Sequence, residues 1–355
     1  MKRIERLTIM AGGTGGHVFP GLAIAEALQA RGVEVTWLGT AGGMERRWVE
    51  EAGLPFEAID ITGLRGKGVT GWLKAPLNVS RAVTQARRIL RRQRPQAVLG
   101  MGGFVCGPGG LAARSLGVPL FLHEQNAIGG LTNRLLAPLS EAVYAGFPFV
   151  GKPVAKAEVF GNPVRAEIEA VPSWRAHDGP PRLLVLGGSR GALALNRTVP
   201  SALALLDRPV EVRHQSGQLT YDEARAAYEA GGVTAKVTPF IDDVAAAYAW
   251  ADLIVCRAGA LTVTEVMAAG RAALFVPFPH AVDDHQRANA ALPEQAGAAE
   301  VIVQEALTPQ RLAASLDHWL EPARLAEAGA IMRRLYRPQA AARIVDDMLE
   351  RLQEA

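Results

Sequence analysis

The apolar residues fall into short runs that recur along the whole chain, separated by longer segments of helical spacing. In the first half these runs predict strands at Leu7–Met10, Val33–Leu38, Phe56–Ile59, Ala97–Gly100, Leu120–His123, Ala142–Ala145 and Ala157–Phe160. Helices are predicted between them at about Gly21–Ala30, Met44–Ala52, Trp72–Arg92, Gly109–Leu116 and Leu131–Leu136. A stretch with four prolines, from Gly161-Asn162-Pro163-Val164-Arg165 to Pro180-Pro181, breaks the rhythm and reads as a connection between domains. Strands then resume at Leu183–Leu186, Val210–His214, Ala235–Thr238, Leu253–Val255, Ala273–Val276 and Ala299–Ile302, followed by a helical tail from Leu325 to Ala355. Strand–helix alternation of this kind argues for parallel sheets covered on both faces.

Two turns interrupt the pattern in the same way. After Leu7–Met10 comes Gly12-Gly13-Thr14-Gly15-Gly16-His17, and after Leu183–Leu186 comes Gly187-Gly188-Ser189-Arg190-Gly191. Glycines between a strand and a helix let backbone approach an anionic or sugar-bearing ligand closely. The two halves also echo each other at Ala97 to Gly103 and Asp252 to Gly259, each a strand leading through a turn into a helix. Ligands of doubly wound sheets sit beyond the carboxyl ends of the strands, so two similar domains sharing one cleft are expected.

Composition narrows the class. A length of 355 residues suggests two domains, and 49% hydrophobic residues with 37 glycines fit an α/β enzyme. The two cysteines, Cys106 and Cys256, lie in apolar contexts and read as buried thiols of a reducing compartment. The start, Met1-Lys2-Arg3 with Glu5 and Arg6, does not read as an apolar leader, and no run approaches the roughly 18 apolar residues of a membrane span. Net charge is only +3, yet no Asp or Glu occurs from Ile61 to His123, where Arg65, Lys67, Lys74, Arg81, Arg87, Arg88, Arg91, Arg92, Arg94 and Arg114 accumulate. Such asymmetry implies an anionic partner. Trp72, Leu73, Leu77, Val79, Val83, Ile89 and Leu90 interspersed with these cations suit a lipid headgroup layer better than nucleic acid. The same residues are also compatible with a core helix whose arginines are solvated.

The missing motifs exclude several chemistries. No Gly-Lys-Ser/Thr follows either glycine turn, which removes a P-loop. Neither turn has dinucleotide spacing, and the second strands end in Leu38-Gly39-Thr40 and His214-Gln215-Ser216, with no acid for a nicotinamide ribose. No Asp-x-Asp pair or His/Cys ligand spacing occurs, so neither metal nor cofactor is expected. At Ala258-Gly259-Ala260-Leu261-Thr262-Val263-Thr264-Glu265 a helix starts directly after a strand, and its free amides suit a diphosphate. Glu265 either grips a ribose diol or closes a capping box with Thr262; the residues leave both open. Arg165 is a candidate to neutralise a leaving diphosphate, and Asp283 to Asn289 is a polar segment suited to sugar hydroxyls or to a cap. His17 is a candidate general base, its ordinary pKa lying near working pH, or a cap.

With these turns in order, the chain resembles the MurG family over essentially its whole length. The resemblance runs through Gly12 to His17, Gly63-Leu64-Arg65-Gly66-Lys67-Gly68, Gly100-Met101-Gly102-Gly103, His123-Glu124-Gln125-Asn126, Gly161 to Arg165, Gly187-Gly188-Ser189 and Gly259 to Glu265. It implies a GT-B fold of two Rossmann-like, doubly wound parallel-sheet domains with an interdomain cleft. Residues 1–162 would form the acceptor- and membrane-facing domain and 163–340 the UDP-sugar domain, with 341–355 a helix packing back on the first. The implied reaction is inverting transfer of N-acetylglucosamine from its UDP ester to the 4-hydroxyl of lipid I, giving lipid II for the cell wall. A UDP-N-acetylglucosamine epimerase and a non-catalytic nucleotide-sugar-binding protein are the alternatives. Donor contacts would fall on Thr14, Gly15, Gly16, Asn126, Arg165, Ser189, Ile241, Ala260, Leu261, Thr262, Val263, Thr264, Glu265 and Gln286, with Ile241 presenting backbone to uracil and His17 as base. Gly103, Phe104 and Glu124 would lie on the acceptor side; Phe104 stands where many members carry tyrosine. Trp72, Lys74, Arg81, Arg87, Arg88 and Arg91 match the region the family docks on the cytoplasmic face of the inner membrane, as a peripheral protein binding no nucleic acid.

Overall fold

The computed structural model describes residues 4–13, 15–61, 68–188, 191–279, 281 and 284–354, without the side chains of 68–75. Two compact units emerge, Met1–Val164 with Gln339–Ala355, and Arg165–Pro338.

The first unit carries β1 (Arg6–Ala11), β2 (Glu34–Thr40), β3 (Phe56–Ile59), β4 (Ala97–Gly102), β5 (Leu120–Glu124), β6 (Ala142–Ala145) and β7 (Ala157–Val159). They form one parallel sheet in the order β3-β2-β1-β4-β5-β6-β7. β4, β5 and β6 are buried at every position, while the edge strands β3 and β7 are half-exposed. That is why the central strands read as continuous apolar runs: helices cover both faces. Successive residues of β1 serve opposite layers. Leu7 and Ile9 pack with Val18, Ile24 and Leu28 of the helix Gly15–Gln29. Met10 packs in the other layer with Ala82, Ala86, Ile89 and Leu90 of the helix Gly68–Gln93, and with Cys106 and Ala112 of the helix Cys106–Ser115.

The second unit repeats the design with β8 (Arg182–Leu186), β9 (Glu211–Gln215), β10 (Lys236–Thr238), β11 (Leu253–Cys256), β12 (Ala272–Phe275) and β13 (Ala299–Val301), ordered β10-β9-β8-β11-β12-β13 and parallel throughout. Both units are thus Rossmann-like.

One expectation is corrected. The first helix starts at Gly15, not Gly21, so His17 lies in its first turn rather than at the end of a loop. The apolar period reaches back to buried Val18, and that packing overrides the poor helix propensity of Gly15, Gly16 and Pro20. The helical tail divides into two helices, Pro322–Leu335 and Ala340–Glu354. Pro338 restricts Arg337 before it, and Gln339 takes a left-handed φ of 55°. The second of these helices places Ile344, Val345 and Met348 in the core of the first unit.

Candidate active site

In each sheet two adjacent strands straddle the point where strand order reverses: β1 and β4 in the first, β8 and β11 in the second. All four end in glycine-containing turns, and this is where such sheets bind ligands.

In the first unit the turns after β1 and β4 touch. A Cβ on Gly103, whose φ is +85°, would meet the Gly12 carbonyl at 2.2 Å, so backbone contact there requires glycine. Buried Glu45 braces the same turn, accepting from the Thr40 amide (2.9 Å), the Thr40 hydroxyl (2.6 Å) and the Gly13 amide (3.3 Å). His17 is half-buried and has Nδ1 3.0 Å from Oε1 of Gln125, whose Nε2 donates to the Met101 carbonyl at 2.6 Å. Its ring lies over Gly102, where a Cβ would come within 2.6 Å of Nδ1. Neighbouring His123 is fully buried, and burial pushes its pKa down to about 4, so it is neutral near pH 7. Glu124 is buried too. It accepts from the Asn126 amide (3.1 Å) and side chain (3.3 Å), the Gly130 amide (2.8 Å) and Asn133 (2.8 Å). Its carboxylate therefore supports the loop carrying Asn126 instead of presenting itself at the surface, while Phe104 is exposed.

In the second unit Gln215, at the end of β9, clasps the turn after β8. Its Oε1 accepts from the Gly188 amide at 2.9 Å and its Nε2 donates to the Gly188 carbonyl at 3.1 Å. Behind it Asn196 donates to Thr220 Oγ1 (2.9 Å) and the Ser216 carbonyl, so its Oδ1 is the acceptor facing buried His214 Nε2 at 3.0 Å. The Tyr228 hydroxyl then donates to His214 Nδ1 at 2.9 Å. Burial holds His214 neutral, at about 3. After β11 the helix Ala260–Ala269 begins, with Gly259 as its cap. The Val263 amide donates to Gly259, and among the described residues the amides of Ala260, Leu261 and Thr262 are the open N-terminal donors. Buried Asn289 donates to the Ala258 carbonyl at 3.2 Å, anchoring the start of this helix.

Because the cap is Gly259, Thr262 and Glu265 do not form a capping box. Glu265 instead accepts from the Tyr248 hydroxyl at 3.0 Å and lies 3.9 Å from Arg165, which is half-exposed. Burial raises the Glu265 pKa to about 6, against the opposing pull of Arg165 and Tyr248. The side chains of Val263 and Thr264 are in the core, and the Thr264 hydroxyl is spent on the Ala260 carbonyl at 2.9 Å, so these two do not face a ligand with their side chains. Ile241 is half-buried just before the helix Val244–Trp250, and Gln286 accepts from the Phe278 amide at 2.9 Å. Thr14, Ser189, the 63–67 turn, Asp283 and the side chains of Trp72 and Lys74 lie outside the described residues. Among the described residues no three His, Cys, Asp or Glu side chains gather as metal ligands would.

A cavity of about 350 Å3 opens at the opposite, amino edge of the second sheet. There Asp252 ties down the connecting segment, accepting from Trp174 (2.6 Å) and the Arg182 amide (2.8 Å) and pairing with His177 (2.9 Å). It lies at the wrong end of the strands for the site.

Residues 7–145 match the glycosyltransferase family 28 N-terminal domain, and 182–344 the C-terminal domain of the same family. The chain belongs to the MurG branch of glycosyltransferase family 28. It is 54% identical over 352 residues to the UDP-N-acetylglucosamine–N-acetylmuramyl-(pentapeptide) pyrophosphoryl-undecaprenol N-acetylglucosamine transferase of Hydrogenovibrio crunogenus, covering 98% of each chain. The enzyme of that name from Nitrosococcus oceani is also 54% identical, over 97% of this chain and 98% of the relative. Among solved structures, Acinetobacter baumannii MurG superposes with a TM-score of 0.86 at 41% identity, covering 98% of this chain and 99% of the other. The fold class is therefore GT-B, and the protein is a glycosyltransferase.

Sequence reasoning assigned no role to Gln125, Gln215, Tyr248 or Glu45. Gln215 follows directly on His214 and Gln125 lies two residues after His123, and that closeness to a histidine is the one signal available. Nothing marks Tyr248 or Glu45 locally.

Proposed function

We propose that this protein transfers N-acetylglucosamine from UDP-N-acetylglucosamine to the 4-hydroxyl of the muramoyl sugar of lipid I, with inversion, forming lipid II. Family membership supports the sugar and the acceptor. The observation that carries the donor assignment is the pairing of the open amides of 260–262 with the Glu265 carboxylate one helical turn further on. Helix N-terminal amides suit a diphosphate, and a recessed carboxylate suits two ribose hydroxyls. Arg165 adds positive potential beside Glu265, and Ile241 offers backbone to the uracil. In the first unit His17 takes the acceptor proton, with Gly15, Gly16, Asn126, Gly103 and Phe104 around it on the same sheet edge. The hydroxyl oxygen bonds to the anomeric carbon while the bond to UDP breaks, its electron pair leaving with the diphosphate.

The acid-free region supports a further reading: a peripheral protein on the cytoplasmic face of the inner membrane, binding anionic lipid and not nucleic acid. Arg81, Arg88 and Arg91 are exposed, as is Leu77, whereas Ile89 and Leu90 are core, so the helix Gly68–Gln93 is both a core element and a cationic face. Arg87 is half-buried and donates to the Ser115 carbonyl at 3.0 Å. Among the described residues no helix is long and apolar enough to cross a membrane.

Incubation with radiolabelled UDP-N-acetylglucosamine and a lipid I analogue is expected to give one UDP per disaccharide lipid formed. An epimerised sugar from the donor alone, without acceptor, would sink the transferase reading. His17→Ala should lower kcat by about 10²–10⁴-fold; unchanged turnover removes His17 as the base.

A further inference from the structure

An imidazole acts as a base only through the nitrogen that carries no proton, so a catalytic histidine needs something to choose its tautomer. At His17 the choice is made three contacts deep. Gln125 is 2% exposed, and its backbone carbonyl accepts from Asn162 Nδ2 at 3.1 Å. Its side chain faces the Met101 carbonyl at 2.6 Å on one side and His17 Nδ1 at 3.0 Å on the other. A carbonyl oxygen only accepts, and two carbonyl oxygens at 2.6 Å would repel, so the amide nitrogen must be the end at Met101. The amide oxygen is then the end at His17, and it too only accepts. Nδ1 must therefore hold the proton.

We propose that Gln125 is a positioning residue that locks His17 in the Nδ1–H form, leaving the Nε2 lone pair for the acceptor hydroxyl. This rests on the reading of His17 as the base. The lock has a floor as well as a latch: Gly102, at φ +119°, has no Cβ to displace the ring, and a Cβ there would lie 2.7 Å from Cε1. An untethered imidazole in water favours the opposite, Nε2–H form, whose base nitrogen is already occupied. The lock thus converts the minor tautomer into the resident one. During transfer the hydroxyl proton moves to Nε2, and the imidazolium that results keeps its Nδ1–H on Gln125. Gln125, neutral and without a proton to exchange on its oxygen, orients the ring without joining the proton transfer. His123, a neighbouring ring of the same unit, is buried and neutral, and donates Nε2–H to the Gly161 carbonyl at 3.2 Å.

The test is ring-15N NMR of histidine-labelled protein at alkaline pH, with His17→Ala identifying the signal among the seven histidines. The wild type should show Nδ1 protonated and Nε2 bare. Gln125→Met, similar in length and without an acceptor, should move His17 toward the Nε2–H form and lower kcat about tenfold or more, with KM for UDP-N-acetylglucosamine within about twofold. A wild-type His17 found as Nε2–H overturns the proposal without recourse to any variant. So does an Nδ1–H form that persists in Gln125→Met, or a switched tautomer with kcat unchanged while His17→Ala is inactive. If His17→Ala retains full turnover but the tautomer responds to Gln125, the base reading falls and the lock stands as structure only.

Discussion

Burial lifts the Glu265 carboxyl to about 6, while Arg165 at 3.9 Å and the Tyr248 hydroxyl at 3.0 Å pull it back. A carboxylate held this way is strained toward neutrality until ribose hydroxyls supply new donors. For an acid raised in the folded state, the stability it contributes is present below the unfolded value of 4.5 and lost as pH rises through 6. At pH 8 the charge therefore costs the free enzyme on the order of 2 kcal/mol, at about 1.36 kcal/mol per pKa unit. Glu265→Gln is expected to melt higher than wild type at pH 8 and yet bind UDP more weakly, a stability–function trade readable by thermal melts and calorimetry. UDP affinity of the wild type should be flat above pH 6 and fall below it. Tyr248→Phe removes a donor that lowers the pKa, so the fall should begin at higher pH. An affinity profile unmoved by Tyr248→Phe would contradict this account.

Elements were legible where local sequence and tertiary demand agree. The strands of both sheets could be read because they are buried on both faces and so carry no alternation to confuse the pattern. The glycine turns could be read because Gly102 and Gly103 face a histidine ring and a backbone carbonyl where no Cβ fits. The start of the helix Gly15–Gln29 was missed because three poor helix formers mask a packing period that begins at Val18. The braces Gln125, Gln215 and Tyr248 were not legible as such, since their partners lie 17 to 108 residues away and no periodicity encodes an amide's orientation. The helix Ala340–Glu354 is a mixed case: its periodicity shows an amphipathic helix, and only the family resemblance, not the pattern, points to the first domain as its partner. Ile344, Val345 and Met348 are fully buried against Leu7, Val18 and Leu28, and the Tyr144 hydroxyl donates to Asp347 at 2.6 Å. Ile344→Ala should cost about 2–5 kcal/mol in urea unfolding, and truncation after Pro338 should leave the first unit unable to hold its fold. A loss under about 1 kcal/mol for Ile344→Ala would mean the helix is an appendage.

At the scale of the whole molecule, a net charge of +3 hides a segregation that the fold preserves. The helices Gly68–Gln93, Cys106–Ser115 and Leu131–Leu136 all contribute to the same apolar layer of the first unit, through Ala82, Ala112 and Leu136, and so cover one face of its sheet. On their outer sides Leu77, Leu111, Leu131 and Leu135 are exposed, at 74%, 42%, 66% and 67%, beside exposed Arg81, Arg88, Arg91, Arg114 and Arg134. Exposed leucines on three neighbouring helices exceed the scattered apolar residues of an ordinary surface, and cations alone would not require them. Apolar side chains among arginines give the two terms a headgroup layer rewards, burial of apolar area and attraction to anionic lipid, the latter worth about 1 kcal/mol per basic residue. Leu131→Ser with Leu135→Ser should therefore weaken binding to phosphatidylglycerol vesicles at any salt. Arg88→Glu with Arg91→Glu should weaken it chiefly at low ionic strength, since salt screens only the second term. Neither pair touches the turns at the carboxyl ends of the strands, so UDP affinity should be retained in both. Equal binding of the two variants and wild type in vesicle sedimentation would reject the lipid reading, and tighter binding to an oligonucleotide than to vesicles would replace it.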